Sequence, residues 1–585
     1  MKFYQRKMFK FTFIGMIVLI ASINVCFSQT KTEQLDKLLN LYHEYGQFNG
    51  SVLIAEQGEV IYKKGFGMAN MEWDIPNEPN TKHRLGSITK QFTAMLILQL
   101  VADDAIDLEA PITSYLPDYP KETGDQITIH HLLTHTSGIP NYTAFPNFFK
   151  EQSRNPYTPD EFVEVFAHKK LDFAPGERFS YSNSGYFLLG VIAEKLTGKT
   201  YEQLLHDNIF TPVGMNDTGY DNHEDILKNR ATGYEKNEYG YVNSNYLDMS
   251  IPYAAGSMYS TVEDLYLWDQ ALYTDKLLPQ ALMDLYFKPY IPAFGDSHYA
   301  YGWGVGKEMI GNTEDSVEAI AHGGGINGFN TNISRVTSDK SLVVLLNNTG
   351  GAALNEITRA IRGILYNTTY DLPKKSVANE VLGVIQEKGI KAGIAHFYAI
   401  KDKDTHSLRE EEINGIGYQL MRAGKTEEAL QVFKLNVDEF PKSFNVYDSY
   451  AEALMNLGQK DAAIENYRKS VEMNPANQNG IDMLEKLGVD ISDLVEEVIV
   501  PDDLLKSYVG KYELAPGFIL TVTKEGSQLK AQATGQPAFD IYPKSNTVFY
   551  LKVVTAQVTF NTAKDGTIES LTLLQGGQEM TGMKL

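Results

Sequence analysis

The sequence predicts a multidomain chain in three folded parts: a mixed α/β (α+β) domain, an α-helical repeat region and a small all-β barrel or sandwich. Three regimes of hydrophobic periodicity predict it. Strand-like and helix-like runs alternate over about 33–370. From about 375 to 495 the pattern is helical and recurs at intervals of 34, and over 500–585 short alternating runs are punctuated by turn residues. A length of 585 residues allows several domains, each able to bury a core. With 43% hydrophobic, 11% aromatic and 22% charged residues, the composition excludes wholesale disorder and collagen-like classes.

Residues 1–28 read as an export signal. Lys2, Arg6, Lys7 and Lys10 precede the apolar run Phe11–Val25, which suits a signal h-region and is shorter than a spanning helix requires. Small residues at Cys26 and Ser28 set a cleavage point before Gln29. Cys26 is the only cysteine, so the mature chain has no disulfide, thiolate metal site or Cys nucleophile. A periplasmic or secreted protein follows, with no stable membrane span once the signal is cleaved. The formal charge of −22 repels phosphate backbones and argues against nucleic acid as a partner.

Within 33–370, Ser51–Ala55 and Val60–Tyr62 flank Gln57-Gly58 as a β-hairpin. Gly86–Ala102 reads as a helix with Phe92, Met95, Leu96 and Leu98 on its apolar side, and Ser341–Leu346 as a strand ending in an Asn/Gly turn. Farther on, Gly424, Ala429, Phe433 and Pro441 recur as Gly458, Ala463, Tyr467 and Pro475, each after 34 residues. This pattern resembles the tetratricopeptide repeat, whose helix pairs bury a face by stacking on neighbours. The stretch 377–410 is a worn third period, with Ala395 one interval before Ala429. Beyond 500, Phe518–Thr523, Val548–Lys552 and Gln557–Phe560 alternate between Glu525-Gly526, Asp565-Gly566 and Gly576-Gly577 turns, which predicts a small antiparallel barrel or sandwich.

Three motifs carry chemistry. Ser87-Ile-Thr-Lys90 opens a helix, so positions i and i+3 share a face and the hydroxyl can meet the amine. Orphan N–H groups at a helix start favour developing negative charge, and a desolvated lysine can act as base. Ser28-x-x-Lys31 and Ser527-x-x-Lys530 share the spacing, but one straddles the cleavage point and the other lies in a strand pattern. Tyr181-Ser-Asn183 offers a phenol for proton transfer and an amide with both donor and acceptor; Tyr241-Val-Asn243 is a rival. His322-Gly-Gly-Gly325-Ile-Asn-Gly-Phe329 lets backbone approach a ligand and offers an oxyanion donor.

Taken in order, Ser-x-x-Lys, Tyr-x-Asn and His-x-Gly resemble the serine β-lactamase and penicillin-binding-protein family, closest to its class C branch with D-Ala-D-Ala carboxypeptidase-like enzymes, D-aminopeptidases and esterases. Leu132–Gly138, Phe173–Glu177, Pro212–Met215 and Tyr253–Trp268 also fit, over roughly 33–370. In class A enzymes Ser-Asp-Asn holds the place of Tyr181-Ser-Asn183. The resemblance implies an antiparallel sheet flanked by helices, with the site at the seam of sheet and helical lobe. It further implies Ser87 as nucleophile, Lys90 and Tyr181 as proton-transfer pair, and Asn183, His322, Gly324 and Gly325 as substrate-binding groups. The Ser87 and Gly325 amides would form the oxyanion hole, and the order of proton transfers stays open. No cofactor or metal is implied.

His322 stands where β-lactamases carry lysine. A neutral imidazole recognises a carboxylate poorly, which favours an esterase- or peptidase-like hydrolase over an efficient β-lactamase. The expected activity is acyl transfer through an acyl-serine on an ester, amide or D-amino-acid peptide. A β-lactamase or D-Ala-D-Ala carboxypeptidase is the alternative, and a non-catalytic scaffold using the repeats is the rival class. Partners are a small-molecule or peptide substrate and, through the repeats, a protein or peptide. His131 and His135 lack a third ligand and read as structural. Tyr301-Gly-Trp303-Gly304 reads equally as a pocket wall or a packed aromatic strand.

Overall fold

A computed structural model describes residues 29–237, 240–494, 499–515, 518–551, 553–554, 556–563, 566–575 and 578–585. The signal-like segment 1–28 with Cys26, and the turn positions Asp565, Gly576 and Gly577, lie outside the described residues. The chain forms two compact units. One runs to Glu380 and takes in Ala399–Ser407; the other comprises Val381–Tyr398 and Leu408–Leu585.

The first unit is built on an eight-stranded antiparallel sheet. Its strands are β1 (Gly50–Glu56), β2 (Glu59–Phe66), β3 (Ile291–Pro292), β4 (His298–Tyr299), β5 (Gly304–Met309), β6 (Ser316–Ile326), β7 (Phe329–Val336) and β8 (Ser341–Asn347), in the order β3-β4-β5-β6-β7-β8-β1-β2. The expected hairpin joins β1 to β2 through Gln57 and Gly58, both at positive φ (54° and 83°), the pairing that a two-residue hairpin turn needs. The central strands are apolar on both sides because both faces are covered. Val52, Ile54, Val343 and Leu345 pack under helices α1 (Lys31–Glu44) and α4 (Leu354–Leu365). Leu53, Ala55, Leu342, Val344 and Leu346 face the larger helical core on the opposite side.

That core contains α2 (Thr89–Ala102) and α3 (Asn183–Thr197). The segment expected to be one helix from Gly86 starts as a 3-10 turn, Gly86–Ile88, and α2 is buried on every face from Thr89 to Leu98. No apolar side is distinguishable there, because the helix runs through the centre of the lobe. Phe92 stacks on Trp268 with centroids 4.2 Å apart. Tyr301 and Trp303 are buried, which resolves their sequence stretch as packing, and Gly302 between them lies against the α2 backbone at Lys90 and Gln91.

In the second unit, Glu410–Arg422 pairs with Thr426–Glu439, and Phe444–Asn456 with Lys460–Met473. Ala429, Phe433, Ala463 and Tyr467 are each 0% exposed, so the 34-residue interval marks equivalent buried positions. Gly417, and Ala451 one interval on, supply the small residues at these contacts; a Cβ at Gly417 would overlap the Phe433 ring. Val377–Lys388 and Ile390–Ile400 are also helical, within the stretch expected as a worn third period. Eight strands between Gly510 and Lys584 close into an antiparallel barrel, the closed alternative of the two expected forms. Tyr508, Tyr512, Phe549 and Phe560 fill its interior, with Tyr508 stacked on Phe560 at 3.9 Å.

Candidate active site

Three distant segments meet at the start of α2. Gly86 has φ +57° and faces the β6 backbone; a Cβ there would sit 3.0 Å from Gly325 N. The Thr331 hydroxyl donates to Leu85 O at 2.7 Å, tying the same turn to β7. Gly324 lies against Leu85 O, whereas a Cβ on Gly325 would meet open space. Ser87 and Gly325 therefore border one cavity of about 130 Å³. Its other walls include Asn183, Thr143 and Asn327 and the apolar side chains of Tyr142, Phe148, Phe149, Leu247 and Ile251.

Lys90 is 0% exposed, and its Nζ lies 3.1 Å from Ser87 Oγ, 2.8 Å from Asn183 Oδ1 and 2.8 Å from Ala255 O. Burial drives its pKa well below the usual lysine value. A neutral amine has two N–H bonds and one lone pair. With the two carbonyl oxygens taking those hydrogens, the lone pair of the neutral form would face Ser87 Oγ. Asn141 Oδ1 accepts from both the backbone N and Nδ2 of Asn183, at 3.1 and 3.3 Å, which turns the Asn183 oxygen toward Lys90. Thr143 lies 3.4 Å from the same Nδ2.

The Tyr181 ring lies under Lys90, with Nζ 4.8 Å from its centroid. Its buried hydroxyl has no hydrogen-bond partner among the described residues, although Ser87 is near enough to offset part of the upward pKa shift that burial causes. The phenol is therefore neutral, with its proton available. His322 projects from β6 beside Tyr181, ring centroids 6.3 Å apart, and its Nε2 is 2.9 Å from the Tyr299 hydroxyl. Desolvation, reinforced by Lys90, lowers its pKa to about 4, so it is uncharged near neutrality.

Ser87, Lys90, Tyr181, Asn183 and Gly325 are thus brought together, His322 flanks Tyr181, and Gly324 packs behind the turn. The rival motifs are elsewhere: Tyr241 is in an exposed hairpin, Lys31 bonds Glu56 and Leu365 O, and Lys530 pairs with Glu525 in the barrel. Sequence reasoning missed Ala255 O, because a backbone acceptor has no side-chain signature. It also missed Asn141 and the aromatic cavity wall.

A family model described as Beta-lactamase matches residues 33–366, one for the tetratricopeptide repeat matches 444–477, and one for a domain of unknown function, DUF3471, matches 495–584. Penicillin-binding protein 4* of Bacillus subtilis (strain 168) is 29% identical over 458 residues, covering 72% of this chain and 98% of that protein. The teichoic acid D-alanine hydrolase of Staphylococcus aureus is 29% identical over 231 residues, covering 39% of this chain and 55% of its own. Among solved structures, a penicillin binding protein from Bacillus halodurans is similar at 27% identity and a TM-score of 0.50, covering 55% of this chain and 97% of that one. The D-amino acid amidase from Ochrobactrum anthropi SV3 is similar at 26% identity and a TM-score of 0.50, covering 57% and 99%.

Proposed function

Because the chain belongs, through residues 33–366, to the beta-lactamase family of serine hydrolases, we propose that it is exported and hydrolyses esters or amides, D-amino acyl derivatives among them, through an acyl-Ser87 intermediate. The observation that carries this reading is the environment of Lys90. Two fixed acceptors and a pKa well below the usual lysine value support a neutral amine facing Ser87 Oγ.

In this mechanism Ser87 Oγ transfers its proton to Lys90 Nζ and attacks the substrate carbonyl carbon. The oxyanion is met by the N–H groups of Ser87 and Gly325. Tyr181, held neutral by burial, gives its proton to the leaving group as the C–O or C–N bond breaks, and Lys90 returns one to Tyr181. Water then repeats the sequence on the acyl-enzyme, releasing the acid and restoring Ser87–H. Asn183 holds Lys90 and orients the substrate.

The neutral His322 supports esterase or amidase action over efficient β-lactam turnover, since no permanent cation is supplied from that position. The activities for which the teichoic acid D-alanine hydrolase and the D-amino acid amidase are named support the same substrate class. The domain plan that goes with this reading is 33–370 hydrolase, 375–495 repeats with a protein or peptide partner, and 500–585 β domain. Residues 1–28 act as a cleaved signal for a periplasmic or secreted enzyme. Among the described residues no helix is long and apolar enough to cross a membrane.

A fluorogenic D-alanyl ester, assayed with wild type and Ser87→Ala, tests the proposal: turnover is expected only with wild type, and a fluorophosphonate adduct only on Ser87. Equal turnover by both proteins, or an adduct on another residue, refutes it. Cleavage between residues 28 and 29 in the exported protein tests the signal.

A further inference from the structure

His135 lies in Leu132-Leu-Thr-His-Thr-Ser-Gly138, a stretch with no part in the mechanism above. Its side chain is 1% exposed, and its φ of +57° is one that a non-glycine residue adopts only when its surroundings hold it there. Those surroundings are the segment that carries Tyr181. His135 O accepts from Ser180 N at 2.8 Å, and His135 Nδ1 accepts from Ser182 N at 3.1 Å. The imidazole also lies against the Tyr181 ring, with centroids 4.2 Å apart and planes 35° from parallel. The peptide N–H before Tyr181, the one after it and the ring itself thus all rest on one residue.

The rest of the stretch extends the attachment. Thr136 O accepts from Gly176 N and Gly138 O from Asp172 N, both at 2.8 Å, so the loop leading to Tyr181 is laced to it. Tyr186 and Tyr299 also lie against the imidazole, at 4.9 and 4.7 Å between centroids. The bond to Ser182 N needs Nδ1 unprotonated, so the tautomer carries its hydrogen on Nε2, which has no partner among the described residues. A histidine kept only for its polar ends would leave neither atom bare. Here one ring atom binds the backbone and the remainder serves as a flat surface under the phenol.

We propose that His135 is a positioning residue that aligns the Tyr181 hydroxyl with Ser87 and Lys90, acting as a three-point clamp made of one backbone carbonyl, one ring nitrogen and one ring face. This rests on the assignment of Tyr181 as the proton-transfer phenol. Among the described residues the phenol oxygen has no hydrogen-bond partner, Ser87 being only nearby, so its position follows the segment and ring on which it lies. Displacement of a proton donor by about 1 Å can lower turnover by about 10²-fold with little change in substrate binding.

The test is kinetics of the full chain on a fluorogenic ester. Asparagine places an amide oxygen where Nδ1 stands and tolerates positive φ, whereas glutamine sends its oxygen past that point and leucine has none. His135→Asn keeps the acceptor and gives up only the ring face, so it should lose about tenfold in kcat, and His135→Gln and His135→Leu about 10²-fold, with KM nearly unchanged throughout. In a Tyr181→Phe background, His135→Leu should cost less than about twofold more, because the group it positions is gone. Equal activity of the Asn and Gln variants, or a full additional loss in the Tyr181→Phe background, overturns the proposal. A Tyr181→Phe protein with wild-type kcat removes the premise instead, and so separates failure of the catalytic assignment from failure of the clamp. If the leucine variant does not fold, the Asn/Gln contrast alone decides.

Discussion

The helical repeat and the catalytic seam bury residues to opposite ends. Phe433 and Tyr467 are 0% exposed, and each sits in an equivalent place one interval apart, where burial itself stabilises the helix pair. Lys90 is also 0% exposed, but its ammonium form is disfavoured there, and its partners come from three separate stretches of chain. In the repeat, packing is the purpose of the residue. At the seam, packing lowers the basicity of an amine, which opposes stability and is what the proposed reaction of Ser87 would use.

This contrast can be broken most severely at Ser87. Ser87→Ala should lower ester turnover by at least about 10⁴-fold while leaving the melting transition of the first unit in place, measured by steady-state kinetics beside calorimetry. A substantial loss of stability would mean the serine is structural.

Next in size, Lys90→Met should lower kcat by about 10³-fold and raise stability by on the order of 1 kcal/mol, since it removes an amine whose charge the fold rejects. The pH dependence has a definite sign. The unfolded chain binds the lysine proton below 10.5 and the folded chain only well below that, so wild type gains on the variant as pH rises toward 10.5. Activity should fall on the acid side as Lys90 takes up its proton in the free enzyme, seen as a descending limb in kcat/KM that is absent in Lys90→Met.

Tyr467→Ala should cost the repeat about 3–5 kcal/mol, the usual loss for a buried aromatic, and amide exchange should rise over Phe444–Met473 but not over Thr89–Ala102. The smallest effect is expected at His322. With a folded pKa of about 4 against 6.5, it stays neutral through the physiological range, and its contribution to stability is lost as pH falls from 6.5 toward 4. His322→Lys supplies a cation there and should raise acylation by nitrocefin, a carboxylate-bearing substrate, by about tenfold. No gain would mean that this charge does not set the preference.

Most of the architecture was readable in advance for reasons the elements make plain. Gln57-Gly58 has the residue types a tight hairpin demands, and the Ala/Phe and Ala/Tyr positions repeat because each helix pair meets the same neighbour. The helix at Ser87 was harder. Its apolar periodicity is blurred because α2 is enclosed on all sides, so amphipathicity carries no information there. Tyr181 was recognisable as a candidate, but the direction of its shift was not. Burial raises its pKa, and the Lys90 beside it, which as a cation would lower it, is itself depressed.

Residue types and their order along the chain thus determined the family, the three regions and the candidate groups Ser87, Lys90, Tyr181, Asn183, His322 and Gly325, because a side chain's chemistry and a local helix face are properties of a few adjacent residues. Tertiary structure alone decided that Ala255 O and Asn183 Oδ1 both accept from Lys90 Nζ, that Asn141 sets the Asn183 amide, and that His135 lies against Tyr181. Backbone acceptors, amide orientation and desolvation arise only when distant segments exclude water together, and no stretch of sequence carries that information by itself.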